Sequence, residues 1–433
     1  LDRFDSPDRP PGRGRLKTFS FMRREARGFA LVITLTLVAL LVLAVYALTA
    51  LARINSRIAE SSGQQTAARQ NALLAFDVAF GALQRQAGPD VRVTGMAGVS
   101  GEPAQSTFRQ WAGVWNGMSS PAWLVSGAGS LARPSLSVSR LTIVGPNSVG
   151  SPADTTDQEP VEVGLVDLPG TDARGFSAKT GRIAYWVGDE GVKVSAVVSD
   201  GEVQLSGASL VGIRPNFRSL ISSAYDPAAS INARVLSLEQ LKVGVSGFSP
   251  GPAFHSLTRT HYALATSAPK GTPRPGPFVA GAFNINTTSE AAWRALLEFP
   301  DSDHSLLGLA APRSLSAARQ IRDRVVARGR PFDSVDDLIG SNIIQDSFDA
   351  ASPKITTITQ NEFFNELIPV LATRSDTFRI RAYGDVLDAV DHSTIRASAW
   401  CEAIVQRTPE LTPDGLGRRF VVTYFRWLGP GDI

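Results

Sequence analysis

From Phe29 to Ala52 the chain carries no charged residue at all. Wound as a helix at about 1.5 Å per residue, the run covers roughly 36 Å, enough to cross a bilayer. Thr34, Thr36 and Thr49 interrupt it, but threonine hydroxyls bond back to helix carbonyls and do not forbid insertion. Arg23, Arg24 and Arg27 stand just before the run, opposed only by Glu25, so the positive-inside rule keeps the N-terminus cytoplasmic and exports the bulk of the chain. A secretory signal peptide has a shorter apolar region, of about 7–15 residues, although the small residues around Ala47–Ala50 offer a cleavage site. An uncleaved signal anchor fits the same residues. Both readings stay open on hydropathy alone.

The segment after the run extends the helix. No proline falls between Arg53 and Gln86, and Ala, Gln and Arg are frequent. Ala68, Ala72, Phe76, Ala79 and Leu83 recur at helical spacing, with Leu73 and Phe80 widening the stripe. Gly88-Pro89 ends the helix, and Gly63, beside two serines, is a candidate bend. Unbroken from Phe29 to Gln86, the helix would measure about 87 Å, apolar in its first half and amphipathic in its second. Composition adds little. The net charge of +3 selects no partner, and Cys401, the single cysteine, excludes an intramolecular disulfide and any multi-cysteine metal site.

The junction Arg23-Arg24-Glu25-Ala26-Arg27-Gly28-Phe29 resembles the prepilin signal of type IV pilins and type II secretion pseudopilins. That resemblance implies cleavage by a prepilin peptidase between Gly28 and Phe29, methylation of the new N-terminus, and a stem that polymerises with other pilin-like subunits through the inner-membrane assembly machinery. Major pilins carry Glu at the fifth mature position, which is Ile33 here; the minor pseudopilin K lacks it too. Residues 1–21, rich in Arg, Asp, Gly and Pro, are expected outside the fold, with Met22 as the start of a short leader.

Further on, residues 89–180 are dense in Gly, Ser and Pro and predict short strands, including Trp111–Trp115 and Leu141–Val144, with a flexible piece near Gly150–Pro160. Gly181–Val187 and Val192–Val198 flank Gly188-Asp189-Glu190-Gly191 and predict a β-hairpin whose turn carboxylates face solvent. Ser209–Gly244 reads as mainly helical. Thr377–Tyr383 and Thr394–Val405 alternate at period two and predict a strand pair, joined by Phe420–Trp427. A helix is expected near Asn361–Leu371.

Between these lie Asn284, Asn286 and Thr287, then a helix capped by Thr288 or Ser289, an Arg-rich helix containing Arg324, and Pro331-Phe332 before a helix capped by Asp333 or Ser334 and containing Leu338. This pattern resembles the helix-hairpin-helix module shared by DNA-binding competence proteins and the head of pseudopilin K. The DNA-binding form has a tight Gly-Ile-Gly hairpin whose N–H groups meet phosphate. Phe299–His304 replace it here, and Asp301 and Asp303 would repel phosphate. Arg319, Arg322, Arg324, Arg328 and Arg330 are interspersed with acids and read as a solvated face, so nucleic acid is not expected as a partner. Stem, hairpin and Asn-Ile-Asn-Thr module together look most like the prepilin-like Verru_Chthon cassette protein A family. The Ala67–Asp90 segment is particularly similar.

Catalytic patterns are poor. His255, His261, His304 and His392 show no ligand spacing; His255 and His261 sit in a Ser/Thr/Arg-rich stretch where exposure is the default, and Cys401 among apolar strand residues reads as a buried inert thiol. No cofactor is expected. The pseudopilin K resemblance implies at most a Ca²⁺ ion, with no ligands assignable. The expected fold class is α+β: a transmembrane and stem helix, then an α+β head with β-hairpins and a helix-hairpin-helix-like insertion. The boundaries are 1–28 leader, 29–88 stem, 89–180 variable β region, 181–280 hairpin and helical part, 281–345 helix-hairpin-helix-like module, and 346–433 closing helix and strands. The expected role is a non-enzymatic minor subunit in a single-pass inner-membrane setting; the rivals are a DNA-capturing competence-type pseudopilin and a signal-anchored envelope hydrolase.

Overall fold

A computed structural model describes residues 26–103, 106–117, 119–129, 131–149, 159–171, 175, 177–195, 254–258, 262–264, 278–280, 282–298, 309 and 311–433. The chain divides into two units, one ending at Ser62 and the other running Gly63–Ile433. The expected helix over 209–244, the loop 299–304, His261, His304, Arg23 and Arg24 lie outside the described residues.

Helix α1 spans Ala26–Ala87 and stays helical through Gly63. Strands β1 (Val93–Met96), β2 (Ala112–Trp115) and β3 (Ala122–Trp123) form a small antiparallel sheet. β4 (Arg140–Val144) pairs with β5 (Val161–Gly164). Next come β6 (Val166–Thr171), β7 (Ser177–Asp189) and the short strands β8 (Val194–Ser195) and β9 (Leu257–Thr258). β10 (Tyr262–Leu264) pairs with β11 (Phe278–Ala280), and β12 (Phe283–Asn284) with β13 (Leu371–Ala372). β14 (Thr377–Leu387), β15 (Ile395–Leu411) and β16 (Arg418–Leu428) join β7 and β6 in an antiparallel sheet of order β16-β15-β14-β7-β6. The helices of the second unit are α2 (Pro146–Val149), α3 (Glu290–Leu297), α4 (Ala311–Arg328), α5 (Val335–Gly340), α6 (Ile343–Ala350) and α7 (Gln360–Leu367). The expected α+β class holds.

Within the second unit, small side chains let α1 lie close against the five-stranded sheet. Ala68, Ala72, Ala75, Ala79, Leu83 and Ala87 are all fully buried. Their partners alternate along the strands: Phe378, Ile380, Ala382, Cys401, Ala403 and Val405 face the helix, as a side-chain period of two requires. Phe76 and Phe80 flank the contact, and Leu73 is 39 % exposed at its rim. A Cβ on Gly384 would sit 2.2 Å from the Ala72 amide nitrogen, so this crossing requires glycine.

Sequence capping rules operate locally. Ser289 accepts from Ala292 N–H at the start of α3, Ser334 from Asp337 N–H at α5, and Thr359 with Glu362 closes a capping box on α7. Ile321 and Val325 are buried on α4 as expected, while Val326 is half-buried.

The expected hairpin does not form. Gly181–Val187 and Val192–Val198 do not pair as a hairpin: β7 lies between β6 and β14, and β8 pairs in parallel with β9. None of residues 188–191 has the positive φ that a tight hairpin turn demands. The chain instead drops through Asp189 and Glu190 into a buried layer.

Candidate functional site: apolar helix and charged core

The first unit presents an uncovered apolar surface. Phe29, Leu31, Leu40, Leu43 and Tyr46 are exposed, and the most apolar window of the helix has a mean hydropathy of 2.8 with none of it buried. A helix apolar all round cannot rest in water, where each Val, Leu, Ile or Phe left uncovered forfeits about 1.5–3 kcal/mol. Thr34, Thr36 and Thr49 donate to the carbonyls of Leu31, Ile33 and Tyr46 at 2.9, 2.9 and 2.8 Å, which removes the polar objection to a lipid or helical surround. Arg27 and Gly28 lie in the first turns of α1, Phe29 follows them, and Ile33 adds an aliphatic side chain to the exposed surface.

In the second unit the face of the sheet opposite α1 carries charge, and that charge is buried. Glu190 Oε1 meets Lys193 Nζ at 2.5 Å and Arg379 Nε at 3.0 Å; its Oε2 accepts from Thr258. Glu402 Oε2 pairs with Arg381 at 2.8 Å and Arg379 at 3.1 Å, and Oε1 with Arg426 at 2.9 Å. Phe254 lies under this row, with Lys193, Arg379 and Arg381 each about 5 Å from its ring centre. Burial alone would raise Glu190, but Arg379 and Lys193 overcome it and hold the carboxyl at about 2; burial likewise opposes ionisation of Glu402, whose arginines keep it well below the usual range. Asp189 moves the other way. Burial, with Glu190 beside it, pushes it up to about 6 despite donation from Thr94 and the Gly191 N–H. The expected solvated turn is therefore a buried ionic layer, because these side chains have partners nearly two hundred residues away. The oxygens of Asp189, Glu190 and Glu402 are taken up by protein donors.

His255, expected exposed, is 1 % exposed. The phenylalanine before it tucks under the charged row and carries it inside, where its Nε2–H donates to the Glu159 carbonyl at 3.0 Å. Burial, then Lys193 and Arg381, push the imidazole down to about 3 from 6.5. Because the folded value is the lower one, stability from burying neutral His255 is complete above pH 6.5 and lost as pH falls from 6.5 towards 3. Replacing His255 with Gln should flatten the acid limb: between pH 6.5 and 5 wild type should lose about 2 kcal/mol more than the variant, read from urea midpoints at constant ionic strength. Asp189 is common to both proteins and cancels in this comparison.

The Asn284-Asn286-Thr287 motif is a staple. Asn284 Nδ2 donates to Thr94 and Ser375, and Asn286 Nδ2 to the carbonyls of Thr94, Phe332 and Thr373, while Asn286 Oδ1 accepts from Phe332 N–H at 2.7 Å. Thr287 Oγ1 accepts from Ser289 N–H. Phe332 and Leu338 are fully buried, Pro331 is buried beside them, and Arg328 covers the Phe332 ring. Five arginines of α4 and its following turn are matched: Arg319 and Arg322 with Glu290, Arg324 with Asp346, Arg328 with Asp337, Arg330 with Asp333; Arg313, in the first turn, has no carboxylate partner among the described residues. Matched guanidiniums leave little field for a phosphate backbone.

Sequence reasoning missed a second cluster, which caps the end of α1. Arg374 donates to the Ala87 and Pro89 carbonyls at 2.6 and 2.7 Å, and Arg407 to the Gly88 carbonyl at 2.7 Å while pairing with Asp376 and Asp90. Cations at a helix carboxyl end answer its unpaired carbonyls. Cys401 is fully buried, and burial pushes its thiol up to about 12, the inert state expected of it. Among the described residues no group of three or more His, Cys, Asp or Glu side chains is placed to hold a metal.

No protein-family model matches this chain, and no curated protein matches it. Among solved structures the chain is similar to the GspK-GspI-GspJ complex of the Type 2 Secretion System from enterotoxigenic Escherichia coli. That likeness has 14 % identity and a TM-score of 0.28, and it covers 61 % of this chain and 84 % of that one. It is too distant to assign a fold family.

Proposed function

We propose that this chain is a prepilin-like minor subunit of a pilus-like or type II secretion-like assembly, acting without catalysis. The observation that carries the reading is α1 itself. It is apolar and uncovered from Phe29 onward, yet further along it devotes an Ala-rich stripe to the sheet of the second unit. A tether needs only the first property. A stem that both packs among like helices and bears a folded head needs the two in one helix. Cleavage after Gly28 frees the apolar part from its basic leader, a single-pass inner-membrane location with a cytoplasmic N-terminus follows from the arginines, and the aliphatic Ile33 suits a subunit that is not the major one. The matched arginines of α4 weigh against DNA capture, and the protein-saturated carboxylates weigh against a hydrolase.

Cysteines placed singly at Leu40 and Tyr46, both exposed on the helix, test the contact. With a membrane-permeable oxidant in the native envelope, the expected result is disulfide adducts with other pilin-like subunits carrying cysteine at matching depth. Adducts at neither position would contradict the proposal. Cys401 is buried and leaves the assay clean.

A further inference from the structure

A cavity of about 480 Å³ opens where the segments flanking β2 and β3 meet the turn between α4 and α5. Ser100, Ser120, Arg133, Arg330 and Asp333 lie on its wall, with Val326 supplying an apolar patch. Arg133 differs from the matched arginines of α4. It is exposed and has no ion pair or hydrogen bond among the described residues, whereas Arg319, Arg322, Arg324 and Arg328 are each matched by a carboxylate. Among the described residues Arg330 is held only by Asp333 at 3.6 Å, and both side chains are about half exposed. The hydroxyls of Ser100 and Ser120 likewise have no partner among the described residues.

A free guanidinium is a planar fork that fits a carboxylate, and the Asp333 carboxylate and serine oxygens accept N–H donors. One ligand chemistry satisfies both: a backbone rich in N–H groups with an acidic side chain. The volume lies within the usual range of ligand sites, about 300–1,000 Å³, and holds a few residues of chain. We propose that this cavity binds a short acidic peptide segment of another protein, its carboxylate on Arg133 and its amides on Asp333 and the serines. The proposal goes beyond the stem reading and holds whether or not the leader is cut.

The test uses the full chain in detergent and a fluorescent, end-blocked tetrapeptide, Ala-Asp-Glu-Ala, against its Asn-Gln counterpart and a galacturonate trimer. The acidic peptide should bind saturably and more weakly as salt rises, while the neutral peptide and the Arg133→Ala protein should each lose about tenfold or more in affinity. Ser120→Ala should weaken binding a few-fold. Arg133→Ala should keep the wild-type melting temperature, since the side chain is exposed and unmatched. Equal binding of both peptides, an Arg133→Ala protein that binds as wild type does, or binding of the galacturonate with none of the peptide would each overturn the assignment.

Discussion

Replacing Glu402 with Gln should destabilise the second unit by about 3–5 kcal/mol. Arg379, Arg381 and Arg426 converge on this one carboxylate, which is 1 % exposed. The amide keeps the shape and removes the charge, so buried Arg381 loses its carboxylate, Arg379 keeps only Glu190, and Arg426 at the rim loses its partner as well. Urea unfolding followed through the buried Trp111, Trp186 and Trp293 measures the loss. Glu410→Gln is the control: its pair with Arg419 spans 3.8 Å between side chains 71 % and 62 % exposed, and its loss should not move the midpoint. A Glu402→Gln midpoint equal to wild type would mean that the cluster is hydrated and the buried ionic layer does not exist.

The second large effect is expected at Gly384. A Cβ there would stand 2.2 Å from the Ala72 nitrogen and 2.5 Å from the Asn71 carbonyl carbon. Both are backbone atoms, so no rotamer change relieves the clash and the helix must move off the sheet. Gly384→Ala should therefore cost about 3 kcal/mol or more, at the upper end of overpacking, and should open trypsin sites at Arg69 and Arg85. Gly340 at the end of α5 is the contrast, because its added Cβ meets nothing within 4 Å. Gly340→Ala should be neutral or stabilise by up to about 1 kcal/mol through the unfolded chain. If Gly384→Ala behaved like Gly340→Ala, the close helix–sheet crossing would be wrong.

These two sites mark the limits of what the residue order discloses. The helix was legible because charge is absent from Phe29 to Ala52 and because Ala68, Ala72 and Ala79 keep helical spacing; its end was legible from Gly88-Pro89. Strands β14 to β16 were legible because their apolar residues alternate. The same alternation places Arg379, Arg381 and Glu402 on the opposite face, and nothing local says that this face is also covered. Glu190 looked like a turn residue because its partner Arg379 lies far along the chain, and the register joining them is set by β7 and β14, not by either segment. His255 failed for a related reason: its polar neighbours suggested solvent, but the residue before it, Phe254, docks under three cations and draws it inward. In the helical module the caps Ser289 and Ser334 were readable, since capping is a three-residue affair. The role of Asn286 in joining β1, Phe332 and Thr373 was not, since it needs three remote carbonyls.

The most direct measurement is the intact mass of the N-terminal peptide of the protein isolated from its native envelope. The account predicts a mature chain that begins at Phe29 and carries a single methyl group on its new amine. A chain that keeps its Arg-rich leader, or one that has been cut near Ala50 and so lost the apolar helix, would contradict it.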